Sequence, residues 1–194
     1  GVAEQNMMGF AGGLAREGFV PCIHTFAVFI YRRAYDQICD SIAYPNLRVC
    51  FFGFLPGVTT PGGATHQAIE DLSVMRSLPN MTVIECGDAT DVESVLDAIH
   101  NVDGPVYVRM LRGEIPRLFA KEEKMQLNRA RVLSQGDDIT LISTGICTEE
   151  ASKAVAWLQE RGLGVTHLHI STLKPCDHPA VAAALHRPRL GNIS

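Results

Sequence analysis

Leu47-Arg48-Val49-Cys50-Phe51-Phe52-Gly53-Phe54 is followed, after Leu55, by the glycine-rich stretch Pro56-Gly57-Val58-Thr59-Thr60-Pro61-Gly62-Gly63. The first run is apolar at odd and even positions alike, interrupted mainly by Arg48. A strand with one wet face alternates polar and apolar residues, so this run predicts a strand covered on both sides, as in a parallel sheet. The loop after it supplies the turn chemistry that stops the strand.

Upstream, Met7, Met8, Ala11, Leu14 and Ala15 recur at helical spacing over residues 3–16, and Gly18 is a natural stop. Val20 to Ile23 reads as a short strand. Residues 26–43 read as a helix ended by Tyr44-Pro45, because proline disfavours helical geometry in the residue before it. Downstream come a helix from about 67 to 78, a strand at 81–86, a helix at 88–101 capped by Asp88, and a strand at 105–110. The pattern weakens into charged, irregular sequence over 112–136. Strand, helix and strand resume at 139–143, 148–161 and 164–170. Repeated βα units predict an α/β protein whose mainly parallel sheet is flanked by helices. Both ends read as cut, since the first helix lacks a preceding strand and the last segment follows only two strands of the second part.

Composition narrows the classes. The 194 residues are 46% hydrophobic, enough for a real core, and the net charge of −4 gives no reason to expect nucleic acid or an anionic membrane surface. No apolar run approaches the ~20 residues that span a bilayer. The six cysteines form no C-x-x-C pair and sit mostly in apolar stretches, which favours free thiols in a reducing cytoplasm. The seven histidines form no metal pattern; His167-x-His169 is closest, and reads better as ordinary strand placement.

Four clusters carry chemistry. Glu4, in Gly1-Val2-Ala3-Glu4-Gln5-Asn6-Met7, places a carboxylate at the mouth of a helix, where on its own it would only complement the positive helix end. Phe26 and Phe29, three apart in Thr25–Gln37, would share one helix face and by themselves read as core. His66, in Gly62-Gly63-Ala64-Thr65-His66-Gln67, follows a flexible loop at a helix start, where it either shuttles protons or simply caps. Arg109 and Arg112 stand at a strand end, where open α/β sheets bind ligands.

Taken together and in register, these motifs resemble the transketolase family. Gly1-x-Ala3-Glu4-Gln5, Thr25-Phe26-x-x-Phe29 with Arg33-Ala34-Tyr35-Asp36-Gln37, Thr65-His66-Gln67-x-x-Glu70-Asp71 and Arg109-x-x-Arg112-Gly113 carry the likeness. Asp138–Gly145 and His169–Pro175 are similar to the opening of that family's C-terminal domain. The resemblance implies a pyrimidine-binding domain over residues 1–115, a linker at 116–136, and the start of the C-terminal domain over 137–194. It implies thiamine diphosphate as cofactor and transfer of a two-carbon ketol unit between sugars or sugar phosphates. Glu4 would hydrogen-bond the aminopyrimidine ring, Phe26 and Phe29 would pack against it, His66 would contact substrate oxygen, and Arg112 would bind a sugar phosphate.

Departures from the family pattern matter. Gly62 stands where an aspartate that reads a sugar hydroxyl is usual, Phe54 where many members carry another histidine, and Arg32 near a usual aromatic or small residue. Either the donor is not an ordinary sugar phosphate or activity is weakened. Nothing resembles the family's diphosphate and metal motif, so Mg²⁺ and the diphosphate would be held by another domain or subunit, in a homodimer or heterotetramer. The chain alone would neither bind cofactor tightly nor turn over. Deoxyxylulose phosphate synthase, the β subunit of a 2-oxoacid dehydrogenase, and a non-catalytic assembly subunit stay open as alternatives.

Overall fold

The computed structural model describes residues 2–58, 60–111 and 113–186. The chain divides into two units, residues 1–84 with 96–115, and residues 85–95 with 116 onward. The elements of the first half are, in chain order, α1 (Glu4–Arg16), β1 (Cys22–Phe26), α2 (Ala27–Ile38), a π-helical turn (Cys39–Ala43), β2 (Cys50–Phe54), α3 (Asp71–Ser77), β3 (Thr82–Glu85), α4 (Ala89–Ile99) and β4 (Val106–Arg109). Then follow β5 (Arg131–Ser134), β6 (Ile139–Ser143), α5 (Cys147–Gln159), β7 (Val165–His169), β8 (Thr172–Lys174) and α6 (His178–Leu185).

In the first unit the strand order is β1-β2-β4-β3. β1 and β2 pair in parallel from Cys22↔Cys50 to Phe26↔Phe54, and β2 and β4 from Cys50↔Val106 to Gly53↔Arg109. The apolar run that predicted this sheet is covered: Val49, Cys50 and Phe51 are buried, while Phe52 and Phe54 are half-buried at the strand's end. A buried side chain such as Phe51 contributes about 1.5–3 kcal/mol. The strand starts at Cys50 rather than Leu47. Asn46 is left-handed (φ 55°) and the Leu47 N–H still donates to the Ile42 carbonyl, which closes the preceding helical turn.

Helix α1 buries Met8, Ala11 and Gly12, and contacts α2 and the π-helical turn. Gly18 adopts φ 88°, so that its N–H reaches Ala15 O and the Phe19 N–H reaches Leu14 O. This is a glycine-terminated helix end, as the sequence predicts. The single helix expected over 26–43 keeps its extent but not its regularity. Phe26 belongs to β1, Ala34 is non-helical (φ −127°, ψ 20°), and the last five residues are π-helical.

Helix α3 begins at Asp71, four residues later than expected. The Ala68 carbonyl accepts from Gly57 N–H at 2.7 Å and from Arg109 Nη2 at 3.2 Å, and Pro56 and Ala68 form a bridge. That bridge pins residues around Ala68 to the glycine-rich loop and delays the helix. At the start of α4, Asp88 Oδ1 accepts the Asp91 N–H at 3.1 Å, as expected of its cap.

In the second unit β6 pairs with β7 in parallel and β5 pairs with β7 antiparallel, in the order β5-β7-β6. Strand β5 falls inside the stretch whose sequence looked irregular. Its pattern is faint because Val132 and Leu133 are 52% and 36% exposed, while polar Arg131 and Ser134 face inward in part. The preceding residues are held as well. Leu118 and Phe119 donate their N–H groups to Asp88 Oδ2 at 2.7 and 2.9 Å, and Phe119 and Met125 are buried.

The core of this unit is unusually polar. Asp91, fully buried, accepts from Arg131 Nη1 at 2.6 Å, Gly87 N–H at 2.9 Å and Ser171 Oγ at 3.0 Å, with His169 Nε2 at 3.3 Å. The chain of contacts continues from His169 Nδ1 to Thr148 Oγ1 (2.7 Å), Ser143 Oγ (3.0 Å) and His167 Nε2 (2.8 Å). His167 and His169 are therefore satisfied core histidines. No described helix is long and apolar enough to cross a membrane.

Candidate active site

Glu4 opens α1 as its first helical residue, with Ala3 as the cap position and Met7 N–H on the Ala3 carbonyl at 2.9 Å. Its side chain is only 5% exposed, a rare state for a carboxylate that must be compensated by charge or hydrogen bonds. Compensation comes from the helix N-terminus and from Arg33 of α2, whose Nη1 lies 3.4 Å from Glu4 Oε2. Glu4 Oε1 has no protein partner among the described residues. The carboxylate and Arg33 line a cavity of about 310 Å³, together with Val2, Ala3, Gln5 and Asn6.

Arg33 also links this carboxylate to an aromatic wall. Its guanidinium sits 4.8 Å from the centroid of Phe29, one helical turn earlier in α2. Phe29 stacks on Phe26 at 5.5 Å with planes 6° apart, and Phe54 meets Phe26 edge-on at 4.8 Å. The two phenylalanines do not share a helix face. Phe26 ends β1 and caps α2, and the strand-to-helix turn brings the rings parallel. Phe54, its register partner on β2, joins the same wall, with His24 packed against it at 4.7 Å.

His66 stands over this wall, its ring 5.5 Å from Phe29 and 6.2 Å from Phe26. It lies on a turn, not at a helix start. The Thr65 hydroxyl lies 3.4 Å from the Gly62 carbonyl and 2.9 Å from His66 Nδ1. With the hydroxyl donating to Gly62, Nδ1–H is the donor to Thr65 and Nε2 stays outside this contact. Gly62 makes this placement possible, since a Cβ there would lie 2.6 Å from His66 Cβ and 2.7 Å from its Cγ.

The loop bearing His66 is tied to α2 by Arg32, which donates to the Ala64 carbonyl at 2.9 Å and to both Glu70 oxygens at 3.1 and 2.8 Å. Tyr31 also donates to Glu70 Oε2. The Tyr31 bond and the Arg32 fork hold the Glu70 carboxyl down at about 2. Burial, then the neighbouring carboxylate, pushes the Tyr31 phenol up to about 12. Behind the loop, Asp71 is fully buried and accepts from Arg109 Nε (2.9 Å), Arg109 Nη2 (3.2 Å) and Tyr107 OH (2.7 Å).

The structure thus brings Phe26, Phe29 and His66 together, and Arg33 joins Glu4 to Phe29. Arg112 lies outside the described residues. Sequence reasoning missed Arg33 as the partner of Glu4, although the i, i+4 spacing of Phe29 and Arg33 was a usable signal. It also placed Arg109 at a ligand site, where the structure gives it Asp71. A buried carboxylate that lines a cavity, joined through one arginine to a flat apolar wall, fits the aminopyrimidine of thiamine diphosphate. A heteroaromatic ring takes stacking and one strong hydrogen bond from such a site.

An α/β unit with a parallel sheet, followed by a smaller α/β unit, is the architecture of thiamine-diphosphate-binding proteins of the transketolase type. The transketolase pyrimidine binding domain matches residues 1–117, and the transketolase C-terminal domain matches residues 128–190. This chain belongs to the transketolase family. An uncharacterised transketolase family protein of Sinorhizobium fredii is 42% identical over 188 residues, 96% of this chain and 54% of that protein. The 6-deoxy-6-sulfo-D-fructose transketolase subunit of a Clostridium species is 41% identical over 182 residues, 93% of this chain and 56% of that subunit. A solved split gene transketolase, described as an inactive β4 tetramer, superposes with a TM-score of 0.89 at 37% identity, covering 96% of this chain and 60% of that one. The chain therefore spans little more than half the length of these relatives.

Proposed function

We propose that this chain supplies the pyrimidine-binding side of a thiamine-diphosphate-dependent transketolase. The enzyme would move a two-carbon ketol unit between sugars or sugar phosphates, in the cytoplasm. The observation that carries this reading is the nearly inaccessible Glu4 carboxylate, 5% exposed, which lines a cavity with Arg33, the residue that joins it to Phe29 and so to the Phe26–Phe29 stack. Residues 1–115 would form the pyrimidine-binding domain and 137–194 the start of the C-terminal domain. The diphosphate and Mg²⁺ would be held by a partner domain or subunit, in a homodimer or heterotetramer.

When bound, thiamine diphosphate supplies the nucleophilic carbon at which the ketol unit is carried. The residues of this chain would do the rest on the pyrimidine side. Glu4 would hold a proton at the ring nitrogen, which sets the ring's protonation pattern. Phe26 and Phe29 would keep water from the ring faces and fix its plane. His66, oriented through Nδ1 by Thr65, would present Nε2 to a substrate oxygen and take or return its proton. Arg112 would bind a substrate phosphate with its fork of donors.

Phe54 and Gly62 make the substrate side of this wall less polar than the family pattern. The donors to try therefore extend beyond xylulose 5-phosphate to 6-deoxy-6-sulfo-D-fructose and apulose 4-phosphate, the sugars in the names of two relatives.

The test is calorimetry with thiamine diphosphate and Mg²⁺ on the full-length chain with its partner, followed by ketol-transfer assays of wild type and Glu4→Gln. Wild type binds and transfers, and Glu4→Gln loses at least about 100-fold in rate, the scale of positioned acid–base catalysis. Full turnover by Glu4→Gln removes this reading. Pyruvate decarboxylation in place of ketol transfer moves the chain to the synthase or dehydrogenase branch.

A further inference from the structure

Arg33 and Glu4 meet across two helices, and the contact is asymmetric. The guanidinium engages Oε2 at 3.4 Å, while Oε1 has no partner among the described residues, and Glu4 and Arg33 line the same cavity. The two ends of this pair differ in access as well, Arg33 being 51% exposed and Glu4 5%. A buried carboxylate without a fixed partner would rotate about its last bond and offer either oxygen. One tied through Oε2 offers only the other. The same guanidinium lies over the Phe29 ring, 4.8 Å from its centroid, which holds the guanidinium in place beside Glu4.

We infer that Arg33 is a positioning residue that selects which oxygen of Glu4 faces the cofactor pyrimidine. This rests on the functional reading above. In the Arg33–Glu4–Phe29 juxtaposition a half-exposed cation engages one oxygen of a buried acid. Lysine could supply the charge but not the planar group that reaches the carboxylate while lying over the Phe29 ring.

The experiment measures the Kd of thiamine diphosphate with Mg²⁺ by calorimetry on the assembled enzyme. Wild type is compared with Arg33→Met, Arg33→Lys, Glu4→Gln and the double variant Glu4→Gln/Arg33→Met. Arg16→Met, at an exposed α1 position, controls for loss of one positive charge. Arg33→Met weakens binding about 10-fold, the scale of one hydrogen bond to a charged group, and Arg33→Lys restores part of it. The double variant binds no worse than Glu4→Gln alone, because Arg33 acts through Glu4. At saturating cofactor, kcat of Arg33→Met falls less than its KM for cofactor rises. Thermal melts verify that each variant is folded, and Arg33→Gln replaces Arg33→Met if the latter melts early. Binding by Arg33→Met within twofold of wild type, with Glu4→Gln impaired, overturns the role of Arg33 and leaves the functional reading intact. A wild-type complex that binds no cofactor overturns both.

Discussion

At the scale of single residues, Gly62 shows how a missing side chain can position a reactive one. The space its Cβ would occupy is filled by His66, at 2.6 Å from His66 Cβ. Gly62→Ala therefore forces the imidazole off the Phe26–Phe29 wall. The expected result is a folded protein whose His66 ring protons lose the ring-current shift of that wall in NMR spectra, with ketol transfer reduced about 10-fold or more, as for small misplacements near the chemistry. Unchanged His66 shifts would mean that the loop yields instead of the ring. The sequence flagged Gly62 as a departure from the family pattern, but its consequence for His66 is a matter of contact and needed the fold.

At the scale of elements, α2 is the brace. Neighbouring arginines on this helix reach in two directions, Arg33 to Glu4 at the mouth of α1 and Arg32 to Ala64 and Glu70 on the loop of His66. The Glu70 carboxyl, lowered from 4.5 to about 2 by Tyr31 and then Arg32, gives this brace a pH dependence. A depressed folded value means the anchoring contribution is complete above about pH 4.5 and is lost as the pH falls toward about 2. Both partners are substantially exposed, so the effect is local and screened by salt. Tyr31→Phe removes the first cause, and the Glu70 midpoint followed by NMR titration should move up. A midpoint unmoved in that variant would assign the whole effect to Arg32. Such bonds span 38 and 39 residues, which explains why the helix was legible and its partners were not.

At the scale of the whole molecule, each unit has its own kind of core. The first is mainly aliphatic and aromatic, and holds a buried ion pair at Asp71 and Arg109. The second is organised on Asp91. Burial alone would raise that carboxyl, yet His169, Arg131 and the Gly87 N–H together hold it below its usual value. Its stabilising share is thus present above about pH 3.8 and disappears as the pH falls through its lower folded value. Asp91→Ala strands Arg131 and His169, and costs about 3–5 kcal/mol by urea unfolding, as for a buried pair losing one member. A cost below 1 kcal/mol would show that water replaces the carboxylate. The sequence by itself determined the order of helices and strands as far as Arg109, the parallel sheet, the glycine stop at Gly18, the Asp88 cap and the family. These depend on local periods and turn chemistry, which a single stretch of chain carries within itself. Only the tertiary structure decided that Arg33 takes Glu4, that Arg109 takes Asp71, that α3 starts at Asp71, and that a strand lies at Arg131–Ser134. Periodicity reports which face of an element is buried. It does not report which distant side chain will meet a buried charge, and that choice is made by packing across tens of residues.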